Sequence, residues 1–196
     1  MNILFRRFFN VVCASTIALA AGAANAALVT VDAKANSSSG GIGLNSGVTL
    51  SAGQEFSVTV AATDLWSAGP LPRWSDANGL DGNLFATGSD ESGQPAGTQI
   101  GTNFGNWTQF GLAAPYGALV GELNNIYFLI GTNFSGLAPG AGTDTLTLFY
   151  WDSNNSDNAG SIVADISVRA AVPEPASLAL LGFGIVGLAA VRRRKP

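Results

Sequence analysis

The chain has 196 residues, of which 47% are hydrophobic and only 11% are charged, and its net charge is −4. It has one cysteine and no histidine, which excludes a zinc centre built on His and Cys and also a Ser-His-Asp triad. An acidic chain is a poor partner for nucleic acid, so we expect no nucleic-acid binding. The length allows one domain with short appendages.

The N-terminus has the three-part pattern of a secretory signal peptide. Two arginines precede an apolar run, and Ala24 and Ala26 flank a candidate cleavage point. We therefore predict a signal peptide over residues 1–26 and export of the chain. Cleavage after Ala26 would remove Cys13, the only cysteine. The exported domain would then depend on its core or on a metal, because it could form no disulfide.

Residues 27–171 are predicted to form the exported domain. Their twelve acidic and three basic side chains give a net charge of −9. Apolar and polar residues alternate with a period of two, clearly at 56–60 and 162–168, and no stretch has a helical period. Similar runs lie at 28–31, 48–50, 118–123, 126–130 and 146–151. This pattern predicts an all-β fold, an antiparallel jelly-roll or Greek-key sandwich of about eight strands.

One long segment, 75–108, interrupts the strand pattern. It is dominated by Gly, Asn, Asp, Ser and Thr. Connections of this length are uncommon and are usually functional or mobile. We therefore expect a long loop between two groups of strands.

The segment 152–158 is rich in oxygen ligands. Five of its seven residues carry carboxylate or amide oxygens, and calcium takes about six to eight oxygens in flexible geometry. It is not an EF-hand loop, because Asp157 stands where that motif needs Gly and Val163 where it needs Glu. Two interpretations stay open. The segment is either a calcium-binding loop or a polar hairpin turn, since Asn, Asp and Ser also favour turns.

Two further motifs contain aromatic residues. Residues 69–74 read GPLPRW, with Trp66 just upstream, and residues 115–121 read PYGALVG. An exposed tryptophan in a loop offers a flat apolar face on which a sugar ring can stack, whereas a buried tryptophan belongs to the core. We predict glycan contacts from Trp74, Tyr116 and Asp152.

Taken in this order, the three motifs resemble the calcium-dependent galactose-binding lectins of the PA-IL type. The shared features are a Gly-Pro turn ending in Trp, a GALV-type strand and a late loop with Asp and adjacent amides. The resemblance spans roughly Val48 to Val168 and implies a jelly-roll sandwich. The calcium ligands it implies are the side chains of Asp152, Asp157 and Asn158 and the carbonyls near Ala68 and Ser156.

The chain also departs from that lectin pattern. The final loop is shorter, and one of the two adjacent amides is Asp157 here. The segment between Trp74 and Ala118 is longer, and the sugar-contacting histidine has no counterpart. The identity of the glycan therefore stays open.

The C-terminal segment 172–196 combines three features of a membrane-directed signal. Val172, Pro173, Glu174 and Pro175 precede an uncharged span, 176–191, and Arg192, Arg193 and Arg194 follow it. As a helix this span would be roughly 24 Å long, somewhat short of the ~30 Å hydrocarbon core of a bilayer. By the positive-inside rule the arginines would stay in the cytoplasm and the domain outside. We therefore predict a transmembrane helix at 176–191.

This tail resembles the PEP-CTERM sorting signal of Gram-negative bacteria. The resemblance implies recognition by an exosortase, a membrane-embedded cysteine transpeptidase. It also implies an initial inner-membrane anchor and delivery to the cell surface or an exopolysaccharide matrix. The alternative is a permanent membrane anchor with a proline-containing stalk.

The sequence as a whole predicts an exported surface or matrix protein with a lectin-like, calcium-dependent glycan-binding domain and no enzymatic activity. Its expected partners are the exosortase and export machinery, an extracellular polysaccharide or surface glycan, and the membrane. One alternative is a structural matrix protein without a specific ligand. A glycoside hydrolase is a third possibility, because that chemistry needs only two well-placed carboxylates. The acids considered for it are Asp64, Asp76, Asp81, Asp90, Glu91 and Glu122.

Overall fold

A computed structural model describes residues 25–169, which lie within one compact unit of the chain. The predicted transmembrane segment 176–191, the sorting tail and the signal peptide up to residue 24 lie outside the described residues. Within 25–169 the chain forms strands and turns and no helix. This part of the chain accordingly contains no helix suited to crossing a membrane.

Fourteen strands, each paired antiparallel with a neighbour, form the described part of the chain. The first seven are β1 Asn25–Asp32, β2 Leu44–Ser51, β3 Glu55–Val60, β4 Trp66–Ser67, β5 Trp74–Ser75, β6 Leu84–Phe85 and β7 Gln99–Gly101. The others are β8 Asn106–Gln109, β9 Leu112–Pro115, β10 Leu119–Leu123, β11 Ile126–Leu129, β12 Asn133–Leu137, β13 Thr143–Tyr150 and β14 Ala159–Val168.

Ten of the described strands belong to two sheets. The first sheet has the order β12-β3-β14-β4-β5, and β1 also pairs with β14. The second has the order β11-β10-β13-β2. The pairs β6-β7 and β8-β9 form separate two-stranded sheets. The count exceeds the predicted eight partly because β4 and β5 have two residues each, which is too short to show an alternating pattern.

The alternation of the long strands places the core between these two sheets. In β14 the side chains of Ile162, Ala164 and Ile166 are buried, and the residues between them face outward. Leu146 and Leu148 of β13 are buried from the opposite sheet and join the same apolar cluster. The predicted all-β sandwich is therefore confirmed, and its jelly-roll topology stays a prediction.

Trp66 of β4 lies at the centre of this core. Its side chain is fully buried and meets the ring of Tyr150 edge-on, with centroids 4.5 Å apart. Its indole N–H donates to the carbonyl of Gly117 at 2.8 Å and to that of Asp76 at 3.3 Å. Trp66 is therefore a core tryptophan and not an exposed surface for stacking a sugar ring.

Replacing Trp66 by Phe should destabilise the protein by about 2 to 4 kcal/mol, because the change leaves a cavity and removes the donor to the buried carbonyl of Gly117. Denaturant unfolding of the full chain measures this. Ile42→Ala serves as the control, since Ile42 is 82% exposed and its loss should cost less than about 1 kcal/mol. Equal effects of the two variants would contradict the assignment of Trp66 to the core.

The segment 75–108 is more ordered than its composition indicates. It contains β6, β7 and the start of β8, and it packs through a small cluster of Leu65, Ala86 and Ile100. The β8-β9 sheet contributes Trp107 and Leu112 to a second cluster, around the buried Trp151 of the sandwich. The segment is therefore anchored to the sandwich by apolar contacts, although its strands are short.

The turn at 87–92 in this segment is organised by one carboxylate. Asp90 accepts hydrogen bonds from the backbone N–H and the hydroxyl of both Thr87 and Ser92. These bonds, the one from the Ser92 hydroxyl above all, lower the pKa of Asp90 to about 2. The bonds favour the charged carboxylate, so they help hold the turn at neutral pH and weaken as the pH falls through this pKa.

We expect NMR to find Asp90 still ionised at about pH 3, where an unperturbed aspartate of pKa about 3.9 would be mostly protonated. The amide shifts of Thr87 and Ser92 report the titration, and Asp90→Asn should remove the pH-dependent step. A midpoint near that of a free aspartate would show that the turn bonds do not persist in solution.

Candidate functional site

The oxygen-rich loop 152–158 is held by the segment that follows β1. The hydroxyl of Ser38 donates to the carbonyl of Asp152 at 2.9 Å and accepts the N–H of Asp152 at 3.1 Å. The side-chain amide of Asn158 donates to the carbonyl of Ala33 at 3.1 Å. Both ends of the loop are therefore fixed to the same neighbouring segment.

Two polar side chains of the loop point inward. Asp152 is 4% exposed and Asn158 is 5% exposed. Burial raises the pKa of Asp152, and hydrogen bonds from the N–H of Ser153 and the side chain of Asn158 partly offset this. Removing a carboxylate from water is unfavourable unless nearby groups compensate its charge. The loop thus maintains a buried acid beside a buried amide.

Three buried side-chain atoms in residues 25–169 lack a hydrogen-bond partner, namely Asn158 Oδ1, Tyr150 OH and Ser75 Oγ. A Cβ placed on Gly117 would lie 2.8 Å from Ser75 Oγ and 3.2 Å from Tyr150 OH, so these two hydroxyls lie against the same glycine. Burial raises the pKa of Tyr150 well above its usual value, and the charges of Asp152 and Asp157 raise it further. Buried polar groups in native proteins are generally paired with protein, water or an ion.

The Gly-Pro turn meets this loop at Asp157. A Cβ on Gly69 would lie 2.5 Å from Asp157 Oδ2, and the φ of Gly69 is +121°, so only glycine fits there. Arg73, from the other end of the turn, places Nη1 3.6 Å from Asp157 Oδ2 and 3.5 Å from the carbonyl of Ala68. The turn therefore brings a carbonyl and a guanidinium to the carboxylate.

Phe104, Tyr116 and Trp107 form an aromatic edge beside Arg73. The guanidinium carbon of Arg73 lies 4.6 Å from the ring centroid of Phe104, which is 43% exposed. Phe104 meets the half-buried Tyr116 edge-on at 5.2 Å, and Trp107 lies 6.1 Å from Tyr116. The oxygen atoms are thus flanked by a partly exposed row of aromatic rings.

The structure brings most of the predicted site residues together. Asp152, Asp157 and Asn158 lie in the loop, and Ala68 reaches it through the contact of its carbonyl with Arg73. The carbonyl of Ser156 instead accepts a hydrogen bond from Lys34 Nζ at 3.1 Å.

Trp74 lies in different surroundings from the residues of the loop. It is half-buried and packs against the cluster of Leu65, Ala86 and Ile100. Successive side chains of a strand point to opposite faces, so Ser75 faces Gly117 while Trp74 faces away from it. Its role as a glycan contact stays a prediction.

Sequence reasoning missed Arg73 and Phe104 as members of the site. Arg73 could have been recognised from the sequence, because it stands inside the GPLPRW motif and is one of only three basic residues in 27–171. Phe104 could not have been recognised, since nothing in the composition of its segment indicates that the segment returns to the Gly-Pro turn.

The donor set fits a hard cation better than a transition metal. It comprises two carboxylates, an amide oxygen without a partner and backbone carbonyls, which are the ligands that calcium prefers. Residues 25–169 contain no cluster of three His, Cys, Asp or Glu side chains that could hold a metal ion, so a cation here would also need amide and carbonyl oxygens. Asp152 is the one carboxylate of the described range that is buried, so the buried pair that would favour a glycoside hydrolase is not found there.

The fold and the site together define an antiparallel β-sandwich with an oxygen-lined loop site, and the family comparison adds a sorting signal. Residues 171–195 match the family model described as the PEP-CTERM protein-sorting motif. This confirms the resemblance drawn from Val172, Pro173, Glu174 and Pro175 and from the terminal arginines. The match covers the C-terminal segment and says nothing of the sandwich.

No curated protein matches the chain. Among solved structures, it is similar to one named EclA N-terminal domain, PllA-like lectin, with 21% sequence identity and a TM-score of 0.45. The similarity covers 72% of this chain and 95% of that one. A likeness this distant carries no function over to this chain.

Proposed function

We propose that the chain is an exported protein, sorted through its PEP-CTERM tail, whose sandwich domain binds glycan in a calcium-dependent manner. The family match at 171–195 supports the sorting. An exosortase is then the processing enzyme, and the cell surface or an exopolysaccharide matrix is the destination. The predicted signal peptide at 1–26 agrees with this route.

The binding function is proposed from one arrangement: the buried Asp152 and Asn158 share a loop with Asp157, which Arg73 links to the Ala68 carbonyl. A buried carboxylate beside an amide oxygen without a partner favours a cation at this place. Calcium, when bound, would neutralise the carboxylates and offer open coordination positions to sugar hydroxyls. Asp152 is the residue that we expect to contribute most, because it is the most buried of the acids.

The aromatic edge supports a sugar as the ligand. Phe104 and Tyr116 present partly exposed rings beside the oxygen atoms. The apolar C–H face of a sugar ring packs on such rings, while its hydroxyls need polar partners. The site offers both kinds of contact within one small area.

β14 separates the candidate site from the last described residue. The loop 152–158 precedes β14, and the described chain leaves at Arg169, at the other end of this ten-residue strand. A strand of that length spans roughly 33 Å. The last described residue therefore lies at the end of β14 opposite to the loop.

Calcium should raise the melting temperature of the full chain, purified in detergent, and a chelator should reverse the effect. At a calcium concentration a hundredfold above Kd the stabilisation would be about 2.7 kcal/mol, or several degrees. Asp152→Asn and Asp157→Asn should lose this response, whereas Asp165→Asn, on the outer face of β14, should keep it. The calcium proposal fails if chelation changes neither the melting temperature nor glycan binding.

A glycan array probed with the full chain tests the binding function itself. We expect reproducible signals that disappear with Asp152→Asn, because that change removes the charge at the centre of the oxygen set. An Asp165→Asn protein should give the unaltered pattern. Silence from correctly folded protein would favour the structural matrix role instead.

A further inference from the structure

Two of the three cations in the described domain lie at the candidate site. Arg73 faces Asp157 at 3.6 Å, and Lys34 donates to the carbonyl of Ser156 at 3.1 Å. The third cation, Arg169, pairs with Glu55 at 3.0 Å, at the opposite end of β14. Residues 25–169 contain twelve acidic and three basic side chains, so positive charge is scarce and is concentrated here.

Arg73 contacts two of the oxygen groups assigned to calcium. Its Nη1 faces both the carboxylate of Asp157 and the carbonyl of Ala68. A guanidinium and a divalent cation repel each other, so each weakens the hold of the other on this carboxylate. The two distances, 3.6 and 3.5 Å, exceed the ~2.7 to 2.9 Å of a strong charge-assisted bond. The contact is therefore weak enough to be exchanged.

Phe104 gives the guanidinium a position that does not depend on Asp157. The Arg73 side chain is 36% exposed, and its guanidinium carbon lies 4.6 Å from the Phe104 centroid. Such a cation–π contact is favourable even at exposed sites. A guanidinium that has left Asp157 can thus stay at the edge of the site with its N–H groups open to a ligand.

We propose that Arg73 is an exchangeable cation that makes the site selective for acidic glycans. It neutralises Asp157 in the absence of calcium, and when calcium takes Asp157 it binds a carboxylate group of the sugar. The proposal rests on the calcium-dependent glycan binding proposed above and names its ligand class, a glycan that contains uronic acid. The planar fork of a guanidinium matches a carboxylate with two parallel hydrogen bonds.

The exchange couples the two ligands thermodynamically. The sugar carboxylate gives the displaced guanidinium a new partner, so calcium should bind more tightly in the presence of an acidic sugar than alone. By reciprocity, calcium raises the affinity for the acidic sugar by the same factor. The net charge of −9 disfavours an acidic polymer over the rest of the domain, which confines its binding to this place.

Calorimetry on the full chain in detergent, with calcium alone and then with a uronic acid disaccharide or its methyl ester, tests this inference. The two sugars differ in the charge of the carboxylate and in one methyl group. The wild type should prefer the acid by about tenfold or more, as hydrogen bonds between charged groups allow. Arg73→Gln should lose this preference and bind calcium alone about two- to fivefold more tightly, because the competing ion pair is gone. Arg73→Lys keeps the charge without the fork and should retain part of the preference.

Arg169→Gln is the matched control, since it removes an equal charge at the far end of the domain and should change neither property. Melting in the presence of chelator shows that both variants are folded. One result would overturn this inference and leave the proposed function intact. In it the protein binds calcium, binds the acid and the ester with equal affinity, and keeps both properties in Arg73→Gln. A folded wild type that binds no calcium would overturn both.

Discussion

The hydrogen bond from the Trp66 indole to the Gly117 carbonyl is the interaction on which the arrangement of the site depends. Trp66 lies two residues before Ala68 in the approach to the Gly-Pro turn, and Gly117 lies in the PYGALVG motif. The same indole packs edge-on against Tyr150, which ends β13 just before the oxygen-rich loop. One buried side chain thus sets the relative positions of three motifs that are far apart in the sequence, and the core is continuous with the site.

The long strands were predictable because burial on one face imposes a period of two. All seven predicted runs, from 28–31 to 162–168, lie in or overlap observed strands. The composition of 152–158 likewise identified a polar loop, since carboxylates and amides rarely cluster in a strand. The sequence could not reveal that Asp152 and Asn158 turn inward while their neighbours face solvent. That outcome depends on contacts with Ser38 and Ala33, more than a hundred residues away.

The short strands and the border of the site could not be predicted for a different reason. β4 and β5 have two residues each, so their existence depends on the partner strand rather than on any local pattern. The side to which Trp74 points follows from the register of β5 against β4, which local sequence does not encode. Phe104 reaches Arg73 only because the segment 75–108 folds back through β6 and β7. Tertiary packing decides each of these positions.

At position 157 this chain departs from the lectin pattern by carrying a charged side chain, and Arg73 lies where it can compensate that charge. The PA-IL-type pattern has two adjacent amides at the end of its loop, whereas this chain has Asp157 and Asn158. The substitution adds one negative charge beside the buried Asp152, whose pKa is raised mainly by burial and also by the repulsion of Asp157. Arg73 supplies the compensating charge at 3.6 Å from the side that is open to solvent. A site with an additional acid and an attached cation has a charge to balance Asp157 without calcium, and under the proposed function calcium would compete with that cation for Asp157.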